Sequence, residues 1–139
     1  MSNSTKTIAG KVYNLRIYSK NVEHVQEMLK KKGFEEAIID SNDSPVENTV
    51  PFLWGIIQKK DESVDESVAY GLYDTLVDEG YNAQDFCELI INICEASGFF
   101  APARVAVMRA TIAKMTDLHK ATLEKLKQLP TDEKQPKQS

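Results

Sequence analysis

The chain reads as a mainly α protein, with about five helices in a small bundle behind a short N-terminal β segment. Three observations predict this. Apolar residues recur at three- and four-residue steps along most of the chain. Helix-start signals at Ser44-Pro45, Ser63-Val-Asp-Glu66, Asn82 and Pro102 divide it into segments of helical length. Alternation of the β kind is confined to one stretch near the N-terminus. A chain of 139 residues, 42% hydrophobic and 27% charged, suits one globular domain with a single core.

Residues 1–6 are polar and are expected to be loose. Thr7 to Tyr18 carries the strand signal through Val12, Tyr13, Leu15, Ile17 and Tyr18, with Gly10-Lys11 placed to turn a hairpin. A lone hairpin is marginal in water, so this segment must pack on helices or on a neighbouring molecule. A first helix is expected from about Asn21 to Lys32, with Asn21 as its cap. Val22, Val25, Met28 and Leu29 form its inner face, Lys30-Lys31-Lys32 its cationic end and Gly33 its stop. The short stretch Phe34–Ile39 fits a strand or a turn of helix, and residues 40–45 are loop by composition.

Ser44-Pro45-Val-Glu47 reads as a capped helix start, and Pro51 then kinks that helix or restarts it. Val50, Leu53, Trp54, Ile56 and Ile57 follow, closing at Lys59-Lys60. Ser63-Val-Asp-Glu66 reads as a capping box ahead of two rows, Val64, Val68, Leu72, Leu76 and Ala69, Tyr73, Val77, with the stop at Glu79-Gly80. Asn82, with Asp85 three positions on, caps a helix whose inner stripe is Phe86, Leu89, Ile90, Ile93 and Cys94 and which ends at Ser97-Gly98. Pro102 opens the last and longest helix. Its seam runs through Val105, Met108, Ile112, Met115, His119, Thr122, Leu126 and Leu129, widened by Leu118 and Leu123. Pro130 ends the domain, 7–130, and residues 131–139 read as a disordered polar tail.

The residues that usually carry chemistry are thin. There is no phosphate-cradling glycine motif, no Gly-x-Ser-x-Gly and no His-Glu-x-x-His. Cys87 and Cys94, seven apart on one helix, are about 10 Å apart along its axis, too far for a direct disulfide, and read as small buried hydrophobes. His24 and His119 lack zinc-ligand spacing, and Asp74, Asp78, Glu79 and Asp85 read as a solvated helix surface. The expectation is therefore no catalytic residue, no metal and no cofactor. No apolar run approaches the roughly 20 residues of a bilayer span, and the first seven residues contain no apolar secretory core. A cytoplasmic protein is expected.

Charge is unevenly spread. Residues 1–34 carry seven Lys/Arg against two Asp/Glu, residues 35–100 two against fifteen, and residues 101–139 eight against four. An acidic middle between basic ends suits nucleic acid poorly, since that ligand wants a continuous basic face. It suits contact between copies of the chain, basic end to acidic middle. Apolar content also exceeds what a domain of this size is expected to bury, above all in Val50-Pro-Phe-Leu-Trp-Gly-Ile-Ile57, Ile90–Cys94 and Phe99-Phe100. Such a segment is either a central core helix or part of a groove for another protein's helix.

Four motifs, in order, carry a family likeness: Gly10-Lys-Val-Tyr-Asn-Leu-Arg16, Phe52-Leu-Trp54, Leu72-Tyr-Asp-Thr-Leu-Val-Asp-Glu-Gly80 and Glu95-Ala-Ser-Gly-Phe-Phe100. Through them, over roughly residues 8–100, the chain resembles the tail assembly chaperones of long-tailed phages of Gram-positive bacteria. The helix after Pro102 lies outside the likeness. The resemblance implies a non-catalytic protein of the infected cell's cytoplasm. Its partner would be the long, helical, apolar tape measure protein, coated until tail tube subunits replace it. It also implies self-association, and no role for nucleic acid or membrane. On this reading the residues singled out for partner contact are Phe52, Trp54, Ile57, Leu72, Leu76, Phe86, Ile90, Phe99 and Phe100. The rival is a small helical adaptor or regulator that contacts nucleic acid.

Overall fold

The computed structural model describes residues 4–58 and 63–128. The expected polar tail (131–139), Pro130 and the Lys59-Lys60 helix end lie outside them. A β-hairpin, β1 (Thr5–Ile8) and β2 (Lys11–Asn14), leads into six helices: α1 (Ser19–Met28), α2 (Phe34–Asp40), α3 (Pro45–Ile57), α4 (Glu66–Asp78), α5 (Ala83–Ala96) and α6 (Pro102–Lys127). The protein is mainly α with a short N-terminal β segment, as its sequence predicts. The sixth helix is α2, which settles the ambiguous stretch before residue 40.

The hairpin starts earlier than expected. Thr5 and Lys6, in the stretch expected to be loose, already pair with Asn14 and Tyr13. Its loop is Ala9-Gly10, one residue before the expected turn, with φ of 52° and 81°. Two successive positive φ values match the twist of the flanking strands, and glycine takes the second at little cost. Beyond β2, Leu15 and Ile17 are buried. The Ile17 N–H donates to Ser97 Oγ at 2.8 Å, tying this segment to the end of α5.

Helix α1 ends at Met28, short of the lysine run. Lys30 and Lys31 take left-handed φ of 57° and 66° in the turn that follows, so the run caps no helix. Gly33 is the N-cap of α2 and not the stop of α1, and Tyr18, not Asn21, stands at the N-cap of α1.

Helix α3 runs unbroken through Pro51. That proline removes an intrahelical hydrogen bond. Against this cost stands the burial of nine consecutive residues, Asn48 to Ile56. Helices α1, α2, α4 and α5 and strand β2 all pack on α3, which makes it the central core helix. The expected capping by Ser44 does not form, since its side chain accepts no cap hydrogen bond.

The start of α4 is also shifted: Asp65, not Ser63, is its N-cap and accepts from the Ser67 N–H. Helix α5 follows expectation. Asn82 and Asp85 form the reciprocal capping box, and Phe86, Leu89, Ile90, Ile93 and Cys94 are buried. Helix α6 lies chiefly along α5. Arg109 holds the pair together, reaching Glu88 at 2.9 Å and Glu95 at 3.3 Å, while Arg104 pairs with Glu35 of α2.

Candidate protein-interaction surfaces

Six of the nine residues singled out for partner contact are sealed in the core: Phe52, Trp54, Leu72, Leu76, Phe86 and Ile90. Two more are committed internally. Phe99 stacks on Phe34 with ring centroids 4.8 Å apart, Phe34 meets Phe52 edge-on at 5.4 Å, and half-buried Phe100 packs on the same core. The six buried positions are corrected: they hold the bundle together. Phe99 and Phe100 pack on that core and keep part of their surface open. The physical reason is α3. Its all-round apolar surface is covered by the rest of the chain, so the surplus inferred for it is spent inside.

Ile57 is half-buried at the end of α3, beside a groove of about 350 Å³ whose apolar lining is Val12, Tyr13, Ile56, Ile57, Val64 and Val68 and whose polar lining is Lys11, Asn14 and Gln58. The groove's geometry is set by Gln58, whose buried side chain works in both directions. Nε2 donates to the Trp54 and Val64 carbonyls, at 2.9 and 3.1 Å, and Oε1 accepts from the Val64 N–H at 2.7 Å. This bracket places Val64 and Val68 beside Ile57, with β2 bringing Val12 to the other side. Val12 is 64% and Val68 49% exposed. Together they form a shelf between hairpin and helices, apolar along Val12, Ile57, Val64 and Val68 and edged by Lys11 and Asn14.

The second surface is the far half of α6. Val105, Met108 and Ile112 seat the first half on the bundle. From Asp117 to Gln128 every side chain described is exposed. The apolar stripe nevertheless continues through Met115, Leu118, Leu123 and Leu126, with Leu118 68% and Leu126 57% exposed. Helix lengths explain this. Twenty-six residues make α6 about 39 Å long, against about 21 Å for the fourteen of α5. Among the described residues none covers the side chains of the overhang.

Outside these surfaces the chemistry is plain. Among the described residues no group of three or more His, Cys, Asp or Glu stands together as a metal site. No described helix is long and apolar enough to cross a membrane. Cys87 and Cys94 are free and buried, and burial pushes both thiols up from their ordinary range. His24 lies 3.0 Å from Glu66 and 4.3 Å from the Trp54 ring, joining α1, α3 and α4; the His119 side chain lies outside the described atoms.

Sequence reasoning passed over Val12 and Val68 as contact residues, because Val12 belongs to the strand signal and Val68 to the helical row Val64, Val68, Leu72, Leu76. The overhang had a readable signal: the last helix outruns every helix that precedes it. No family model matches the chain, and no curated protein or solved structure matches it.

Proposed function

We propose that this protein is a non-catalytic tail assembly chaperone of a long-tailed phage. It would hold the helical, apolar tape measure protein in solution in the infected cell's cytoplasm until tail tube subunits take its place. The observation that carries this reading is the shelf, where Val12 and Val68 stand exposed beside half-buried Tyr13, Ile57 and Val64 at the edge of the core. Support also comes from the four motifs through which the chain resembles that family.

The shelf is too small to grip a client tightly. Many copies along one long client would bind it by avidity and still let each contact release. Sites of this kind suit a client whose own helices repeat an apolar stripe. Nucleic acid has less in its favour, since residues 61–103 hold ten Asp/Glu and no Lys/Arg.

The test is co-expression with the tape measure protein this reading calls for. The reading expects that protein to stay in the soluble fraction only when this chain is present, and to co-purify with it. Equal solubility with and without this chain overturns it.

A further inference from the structure

We infer that the overhanging half of α6 docks on the outward face of α4 of a second copy, joining copies head to tail. This rests on the proposed function, in which many copies line one client, and it stands apart from what the shelf binds.

The argument rests on how charge flanks the apolar stripe. At 100° per residue, Lys114 and Lys125 lie on one side of the Met115–Leu126 stripe, and Lys120 and Lys127 on the other. Asp117 and Glu124 lie at the back of the helix, away from the stripe. Lys114, Lys120 and Lys125 form no ion pair with another described residue, and Lys127 reaches only Glu124, at 3.9 Å. Two such stripes packed on each other would bring lysine against lysine on both flanks, which is unfavourable. The stripe therefore calls for an apolar helix face edged with carboxylates.

The bundle displays one. On α4, Tyr70 and Val77 are half exposed, seven residues apart, and Asp74 and Asp78 fall on the same outward face at i+4 and i+8 from Tyr70. Neither aspartate forms an ion pair with a described residue. Helices α4 and α5 contain no Lys or Arg at all. Within one chain the two faces do not meet, because every described side chain from Asp117 to Gln128 is exposed. Docked on a second copy, each molecule gives one face and receives on the other. That contact is heterologous, and it builds an open series or a ring. A single helix end on a single helix face is smaller than the roughly 1,600 Å² of a standard interface, so association is weak and sensitive to salt.

The experiment is sedimentation velocity on the full chain, without client, over a range of protein concentration at low and high salt. Wild type is expected to populate a concentration-dependent series that salt dissolves. The variants L118D/L126D and D74K/D78K, altered only at exposed positions and checked for helicity by circular dichroism, are each expected to lose that series and stay monomeric. Mixed, they are expected to form a 1:1 dimer and nothing larger, since one intact overhang meets one intact α4 face. The charge-only variant K120E/K127E is expected to lose association too, and to regain it when combined with D74K/D78K in one chain. A monomeric wild type at low salt overturns the inference. So does undiminished association of either double variant, or a mixture that stays monomeric. Each of these results leaves client binding by the shelf untouched.

Discussion

Ile17 lies directly against Gly55: a Cβ on that glycine would stand 2.7 Å from Ile17 Cδ1 and 2.8 Å from Cγ1. The extended segment after the hairpin crosses the central helix at this point, and only a residue without a side chain lets it do so. Both partners sit in the core, and Ile17 is further held by its bond to Ser97. Gly55→Ala would gain about 1 kcal/mol of helix propensity. The clash, costing about 1–3 kcal/mol in a packed interior, is expected to outweigh it. Urea denaturation should show a lower midpoint for Gly55→Ala. Part of the loss should return in the Ile17→Val background, which lacks the nearest atom.

Helix α6 should behave as two helices in one. Ile112→Ala empties a seat on the bundle and is expected to cost about 2–5 kcal/mol. Leu118→Ala, six residues on, changes a side chain that is two-thirds exposed and is expected to stay within about 0.5 kcal/mol of wild type. Denaturant midpoints of the two variants measure the contrast.

The parts of this fold that were readable from sequence are those decided locally. The Asn82–Asp85 box, Pro102 at the head of α6 and the inner stripe of α5 depend on neighbours within one or two turns. The parts that were not depend on distant contacts. Nothing near Pro51 says that five elements will pack around α3 and keep that helix whole. Nothing near Lys30 and Lys31 says that the chain turns left-handed there. For the same reason sequence alone places Phe52, Phe86 and Ile90 at a contact surface when they belong to the core. Periodicity shows which face is apolar, and only the packed chain shows which apolar face is already covered.

The two cysteines should be inert in the folded protein. Burial raises both thiols, and Cys87 Sγ lies 3.0 Å from Ser41 Oγ inside the core. A folded pKa above the ordinary value leaves less thiolate at pH 8, and closed packing shuts reagent out. A thiol-reactive dye is expected to label the native chain only at its rate of opening, and to label two groups per chain in denaturant.

Glu35 offers a check on the seating of α6. The hydrogen bond from Arg104 holds its carboxyl below the usual carboxylate range. The sign follows: the pair favours the folded state above the unfolded carboxyl pKa, and that preference disappears as pH falls through the lowered folded value. Both side chains are solvent-exposed, so the effect is best read at the residue itself. Carbon-detected NMR titration should find the Glu35 midpoint rising in Arg104→Gln. An unchanged midpoint would mean the contact is not held in solution.

Hydrogen–deuterium exchange of this chain, alone and with a helical, apolar-striped segment of the tape measure protein, tests most directly whether the shelf is where a client sits. Slowed exchange in residues 11–14, 56–58 and 64–68, lost in Val12→Asp/Val68→Asp, is the predicted result. Protection that falls elsewhere on the bundle, or survives that double substitution, would contradict it.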